Sequence, residues 1–505
     1  MGYIMNSLNG RKKIKVLLVY SNKMMETLIS INISALSAVL KESGFDVKLF
    51  DTTYYRTEEK SGYDVRVENL QLRNFDLSKY GVKYKDTDIF GDFREAVEEY
   101  KPDIIGLTAV EDTYELGMAL IKRVRDLDIP VIVGGVHAII SPDEVISEED
   151  VDMVCIGEGE NAFRELCQKM SHGEIHTDVC GIWFKENGKV IKNKPAPLTD
   201  INKVPYLDFT IYEKERFYRP MQGKVFKMFP IEVSRGCPFS CSYCGAPALR
   251  EIYRSSGTYY RKKRIERIID EIKFYKDRYG MDYVYFTAET FLSFNDVEFK
   301  KFASLYKEVG LPFWGQTRPE TVTEERIKRL EEIGCDRLTI GIESGNERVR
   351  RKLLNRNISN EAIVKAFAIL EKSSIPVSVN NVIGIPDETR DEVFDTIALN
   401  RAVKADSISV FIFTPYRGTR LRQYCIDKGY MAPDDSYHAD IRKKSILNMP
   451  TLSDEDIRGL IRTFPLYVKF PKEEYGRIER AEKFDEEGDA VFAELSEKYR
   501  REYFK

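Results

Sequence analysis

The feature that most constrains this chain is an alternation of short apolar runs with amphipathic ones, carried through twice. From Ile14 to about Met170 the runs "IKVLLVY", "FDVKLFD", "IIGLTAV", "IPVIVGG" and "DMVCIGEGE" alternate with helix-like segments such as "ISINISALSAVLKESG" and "YELGMALIKRVRDLD". Apolar strands separated in this way form a parallel sheet with helices on both faces, so the first part reads as a doubly wound α/β domain. A second alternation begins at Phe226, with "FPIEVSRG", "DYVYFTAET", "PFWGQTR", "RLTIGIESG", "VSVNNVIGIP" and "SISVFIFTP". Six such units suggest a partial βα barrel, whose reactive face lies at the carboxyl ends of its strands. With 505 residues the chain is long enough for several separate cores.

The join is the Lys-, Asn- and Pro-rich stretch "GIWFKENGKVIKNKPAPLTDINKVPYLDF", read as a β-ribbon followed by an extended linker. The expected organisation is therefore a Rossmann-like domain over residues 1–170, ribbon and linker over 171–225, a TIM-like partial barrel over 226–421 and a charged helical region over 422–505. The last region, with "RIERAEKFDEEGDAVFAELSEKYRREYF", reads as a solvated amphipathic helix packed on the barrel.

Ligands of doubly wound domains bind beyond the carboxyl ends of the strands. Four of those ends here carry small or polar residues: Tyr20 and Ser21, Thr108 and Ala109, "GGVHA" with Gly134, Gly135, Val136 and His137, and "GEGE" with Gly157, Glu158 and Gly159. Glycine at such an end admits the close approach of a flat, bulky ligand. No GxGxxG follows the first strand and no GxxxxGK[ST] occurs, which excludes the dinucleotide fingerprint and the P-loop.

Eight cysteines in a chain of this length make no disulfide framework. Cys155, Cys167, Cys180, Cys335 and Cys425 are dispersed and read as small buried hydrophobes. Cys237, Cys241 and Cys244 instead form a CxxxCxxC cluster in "SRGCPFSCSYCGAP", just after the first barrel strand. A structural zinc site needs four ligands, and no second pair is present. A cubane iron–sulfur cluster held by three thiolates leaves one iron open, able to bind a substrate rather than only store electrons.

These three cysteines, with Tyr243 before the last, resemble the signature of radical S-adenosylmethionine (SAM) enzymes. The resemblance implies a 4Fe-4S cluster on Cys237, Cys241 and Cys244 whose open iron chelates SAM, and reductive cleavage of SAM to a 5'-deoxyadenosyl radical. It extends along the barrel through "FTAET", "GQTRPE", "GIESGNE", "IGIPDET" and "TPYRGT". Carried over, Glu289 lies near the SAM amino group, with Ala288 where relatives often have a second acid. Arg318 meets the SAM carboxylate, and Glu343 and Ser344 its ribose or methionyl part.

The N-terminal domain is similar to the cobalamin-binding domain of one branch of these enzymes, through "IIGLTAV", "VIVGGVHA", "VCIGEGE" and the join "KVPYLDF". It lacks the DxHxxG whose histidine ligates cobalt in mutases, and "DTYELG" (Asp112 to Gly117) has Tyr114 in that place. Cobalamin is accordingly expected without a histidine on cobalt, with His137 near the corrin but bonded to backbone or ligand amides.

The resemblance implies a cobalamin-dependent methyltransferase acting on an unactivated carbon of a small-molecule, lipid or peptide substrate, supplied with electrons by a donor such as flavodoxin or ferredoxin. The rivals are an oxidative ring-forming or rearranging enzyme of the anaerobic cyclase kind, and a cobalamin and iron–sulfur sensor without turnover. A formal net charge of -4 gives no basic field for nucleic acid. The basic residues Arg11, Lys12 and Lys13 precede an apolar run that reads as a strand, no stretch is long enough to span a bilayer, and a cytoplasmic location is expected. Tyr54, Tyr55, Tyr259 and Tyr260 read as surface tyrosines that define no pocket.

Overall fold

Two parallel sheets realise the double alternation in the computed structural model, which describes residues 12–174, 176–435 and 443–504. Arg11 lies outside them. The residues group into two units, one made of the chain up to Glu59, Leu77–Tyr218 and Ala248–Arg261, the other of Lys60–Asp76, Arg219–Pro247 and the chain from Lys262. Each unit therefore takes in one segment that the order of the sequence would give to the other.

In the first unit the strands are β1 (Lys15–Tyr20), β2 (Asp46–Asp51), β3 (Ile104–Thr108), β4 (Val131–Gly134) and β5 (Met153–Cys155). They are parallel and ordered β2-β1-β3-β4-β5, so the chain reverses direction across the sheet between β1 and β3. That reversal is where doubly wound folds open a crevice for a ligand. The ribbon strands β6 (Ile182–Glu186) and β7 (Lys189–Lys192) extend the same sheet antiparallel from β5. Val16 to Val19 and Ile104 to Leu107 are almost wholly buried, as the apolar runs require.

The second unit begins with β8 (Tyr218–Met221) and β9 (Lys224–Glu232), passes through short strands β10 (Ser234–Arg235) and β11 (Arg261–Lys262), and continues with β12 (Tyr283–Thr287), β13 (Phe313–Thr317), β14 (Cys335–Glu343), β15 (Val377–Ile383) and β16 (Ser407–Ile412). Its main sheet runs β16-β15-β14-β13-β12-β9-β8, with the six strands from β9 to β16 paired in parallel. Phe286, Phe302, Tyr306 and Phe313 form the aromatic layer between strands and helices.

Segment Lys60–Asp76 covers the edge strand β16: Val410 N donates to Gln71 Oε1 at 3.2 Å and Arg66 to Ser409 Oγ at 2.8 Å. The C-terminal region is less solvated than its charge suggests. Helix Asp454–Lys469 buries Ile457, Leu460, Ile461 and Phe464 in the same core as β15 and β16. Among the dispersed cysteines Cys180 is exposed, in the turn before β6, while Cys155, Cys167, Cys335 and Cys425 are buried. Tyr54, Tyr55 and Tyr259 are buried too, contrary to their reading as surface residues, packed against Arg216, Phe50 and Tyr253 respectively. No helix among the described residues is long and apolar enough to cross a membrane.

After β15 the chain turns through "IGIPDET", and Glu388 is fully buried there. Its Oε2 accepts from Gly384 N at 2.8 Å and Ile385 N at 3.2 Å, and Oε1 has no partner. Burial pushes this carboxyl from its ordinary 4.5 up to about 8. A carboxyl raised on folding holds its proton more tightly folded than unfolded. Its contribution is then fully present below pH 4.5 and is lost as pH rises through about 8. Chemical denaturation from pH 5 to 9 should show a loss on the order of 4 kcal/mol that Glu388→Gln largely removes. Equal pH slopes in the two proteins would contradict a neutral Glu388.

Candidate functional site

The cysteine loop leaves β10 and is pinned at its centre. Ser242 N donates to Leu354 O at 3.1 Å, Leu421 N donates to Ser242 O at 3.0 Å, and Asn355 Nδ2 donates to Ser240 O at 2.6 Å. These bonds tie the loop to the segments that follow β14 and β16. Cys241 is buried and Cys237 and Cys244 are half-buried. Arg318, just past β13, donates to Cys241 Sγ at 3.2 Å, lies 3.8 Å over the ring of Phe239 and pairs with Glu320. Ala246 N donates to Cys244 Sγ at 3.5 Å.

Burial, with a smaller contribution from the charge of Glu289, pushes the Cys244 thiol up to about 12, and burial likewise raises Cys237. Metal binding to such thiols must release protons. No three His, Cys, Asp or Glu side chains among the described residues converge as ligands of one ion would. Thiolates on separate corners of a cubane need not converge in that way.

Glu343 ends β14 with φ at 66°, a left-handed backbone that a non-glycine residue adopts only under constraint. The constraint is Arg356, buried at 3%, which donates Nη1 to Glu343 Oε1 at 2.6 Å and Nη2 to Gly341 O at 2.8 Å. Arg356 also reaches the Tyr243 hydroxyl at 3.4 Å. A Cβ on Gly341 would stand 2.2 Å from Glu343 Oε1, so only glycine leaves the carboxylate its place. Tyr243 is held protonated by burial and by the charge of Glu343. Arg350, fully buried, donates to Ser344 O and Ile358 O and so fixes the segment that carries Arg356.

Cys241, Tyr243, Arg318 and Glu343 are thus brought together with Arg356, Phe239 and Glu320, which the sequence reading did not single out. Arg356 follows β14 by thirteen residues in an irregular stretch, and an unpaired Glu343 at a strand end was the one signal calling for it. Glu289, just past β12, has an exposed side chain, and desolvation nonetheless raises its carboxyl. Ser344 is not brought into this group: it is fully buried, with Oγ 3.4 Å from Thr396 Oγ1 and accepting from Asn346 N.

In the first unit the carboxyl ends of β1, β3 and β4 carry residues of a different kind. Val110 and Val136 are 45% and 37% exposed, among the few exposed large apolar side chains, and they flank Ala109 and Gly135. Gly135 has φ at 98°, and a Cβ there would stand 2.4 Å from Ala109 O. Ser21 Oγ is buried without a partner, beside Tyr20 and the end of β1. Thr108 is half-buried and Gly134 stands clear of its neighbours apart from Cys155. Exposed valines, an orphaned hydroxyl and tightly apposed backbone fit a large, flat, partly apolar ligand.

Two predicted contacts are engaged within the protein. His137 is buried, its ring 4.3 Å from that of Tyr114 and its Nε2 4.0 Å from Glu144. Glu158 pairs with Arg261 and accepts from Thr199 N at 2.8 Å, while Gly157 and Gly159 abut Tyr253 and Leu36.

Residues 18–167 match the B12 binding domain and residues 231–399 the Radical SAM superfamily. The chain is 29% identical over 343 residues to an uncharacterized methyltransferase of Pyrococcus horikoshii, covering 67% of this chain and 72% of that one. It is 25% identical over 401 residues to the anaerobic magnesium-protoporphyrin IX monomethyl ester cyclase of Rubrivivax gelatinosus, covering 75% and 69%. Its fold resembles the radical S-adenosylmethionine methyltransferase TsrM of Kitasatospora setae, solved with cobalamin and a 4Fe-4S cluster, at a TM-score of 0.61 and 18% identity over 85% of this chain and 81% of that one.

Removing Arg356 should leave Glu343 buried and unpaired, which costs roughly 3–5 kcal/mol for such a group. Arg356→Leu is therefore expected to melt well below the parent and to bind SAM more weakly in equilibrium dialysis, with Arg356→Lys between the two. An Arg356→Leu protein with unchanged melting and SAM affinity would show that the pair holds nothing in place.

Proposed function

We propose, on the premise that this chain belongs to the cobalamin-dependent radical SAM enzymes, that it methylates an unactivated carbon of its substrate. The observation that carries the reading is the conjunction of a three-thiol loop at barrel strand ends with a ligand crevice in a B12 binding domain. The residues present fit both groups by their chemistry: three thiols without a fourth for a cubane with an open iron, and a strand-end crevice with exposed valines for a corrin. When bound, the cluster and SAM supply a 5'-deoxyadenosyl radical and cobalamin supplies the methyl group.

Cys237, Cys241 and Cys244 hold the cluster in this reading. Arg318 is a cation against the sulfur of Cys241, and a donor placed there favours the added negative charge of a reduced cluster. Glu343, fixed by Arg356 and Gly341, presents its free oxygen for the hydroxyl or ammonium groups of SAM. Glu289 lies close enough to the thiols to raise them, and its carboxylate suits the SAM amino group. In the first unit Gly135 lets backbone approach the corrin, Ser21 offers a hydroxyl to its amides, and Val110 and Val136 cover its apolar face. His137, packed on Tyr114, supports a cobalt without a histidine from this chain. The electron is supplied by a small reductant of the flavodoxin or ferredoxin kind.

A second reading, oxidative ring formation without methyl transfer, is favoured by the likeness to the cyclase of Rubrivivax gelatinosus. Product analysis separates the two. Anaerobic turnover with both cofactors, reductant, SAM and substrate should yield 5'-deoxyadenosine and S-adenosylhomocysteine together, and Cys241→Ala should yield no 5'-deoxyadenosine. 5'-Deoxyadenosine without S-adenosylhomocysteine would point to the cyclase reaction.

A further inference from the structure

The inner face of the second unit's sheet tells what it can hold. Phe286 and Phe313 pack on Phe302 and Tyr306 of helix Asp296–Tyr306, so these residues of β12 and β13 face the helices. Side chains alternate along a strand, so Tyr285, Thr287, Trp314 and Gln316 face the other way, into the barrel. The register carries that face across the sheet: Trp314 stands beside Arg337, Gln316 beside Thr339, Thr339 beside Ser378 and Ser378 beside Ser407. One step further along, Asn380 stands beside Ser409. Apolar side chains share this face on β9, where Met228 and Pro230 stand beside Tyr283 and Tyr285, and near the strand ends at Val382 and Phe411.

A barrel core that merely filled itself would place branched apolar residues at these positions. Here the face is polar and organised. Tyr285 stacks on Trp314 at 4.5 Å, and the polar edges of both rings are fixed, by Gln316 at 2.9 Å and by Thr339 at 2.8 Å. Arg337 donates to Ser378 Oγ at 2.6 Å and to Ser407 Oγ at 3.0 Å and its Nε is buried without a partner; the carboxylates of Asp406 and Asp336 act on it, but among the described residues none forms an ion pair with it. Thr287 Oγ1 is likewise buried without a partner. A lipid tail or a porphyrin would desolvate these groups without satisfying them, and a site built to hydrogen-bond its ligand rejects ligands that cannot.

We propose that this face takes a polar substrate, rich in hydroxyl or amide groups and bearing one anionic group, a phosphate or a carboxylate, that Arg337 receives. The proposal rests on the barrel being the reaction chamber of the enzyme described above, and it narrows that enzyme's substrate to one chemical class.

Equilibrium dialysis of the intact protein, carrying both cofactors, tests it without turnover, so failure of methyl transfer would leave the result readable. The probes are glucose 6-phosphate, glucuronate, glucose and octyl phosphate. At least one charged sugar should be retained at millimolar concentration, about tenfold more tightly than glucose or octyl phosphate, and which of the two is retained tells phosphate from carboxylate. Arg337→Met and Arg337→Gln should each weaken that binding about tenfold, and Arg337→Lys only about threefold, with iron and cobalamin content unchanged. Octyl phosphate bound as tightly as the sugars, no retention of either charged sugar, or binding indifferent to both neutral variants would overturn the proposal.

Discussion

A parallel strand can be followed by another only after a crossover that brings the chain back to the start of the sheet. Every strand of such a sheet therefore ends at the same side, and residues far apart in sequence meet there. In the second unit this delivers the cysteine loop after β10, Arg318 after β13 and Glu343 at the end of β14 to one place. In the first unit it gathers Tyr20, Ala109 and Gly135. Loops at these ends can change chemistry without disturbing the sheet, which is why both sites lie on irregular backbone over rigid strands.

Charge is handled differently at the two ends of β14. At its carboxyl end Glu343 and Arg356 are both withdrawn from water and paired, Nη1 with one carboxylate oxygen and Nη2 with Gly341 O. A buried pair of this kind contributes little net stability, but losing either partner is expensive, so its main effect is to hold Glu343 in one orientation. Further down the strand Arg337 bonds to hydroxyl oxygens, with Asp406 and Asp336 acting on it without an ion pair, and burial lowers its pKa. In the proposed reading the fixed charge pair positions a cofactor group, and the cation bonded to hydroxyls receives an incoming anion.

Strand positions and their parallel type were legible from apolar periodicity, because buried parallel strands are written as continuous apolar runs such as "VLLV" and "IIGL". The cysteine spacing was legible because three nearby thiols have few uses. What periodicity cannot convey is which segment crosses to which unit. Lys60–Asp76 lies in a stretch with no apolar rhythm, and its part in covering β16 depends on single side chains, Gln71 and Arg66. Helix Asp454–Lys469 is charged at its start and holds Pro465, yet it is core along most of its length, since burial depends on what it meets. Arg356 was missed for the same reason: its partner is set by how an irregular loop returns, and no local pattern encodes that return. His137 was noted for its chemistry, but packing against Tyr114 uses its ring as a flat surface.

The central claim is that three thiolates hold a cluster whose remaining iron is open to SAM. The most direct measurement is electron–nuclear double resonance on the reduced cluster with SAM isotopically labelled at its amino nitrogen and carboxylate oxygen. Hyperfine coupling to both labels, present in the parent protein and absent when Cys241 is replaced by alanine, is the predicted result. A reduced four-iron cluster that binds in the parent and shows no coupling to either label would mean that all four irons are held by other ligands, contradicting the claim.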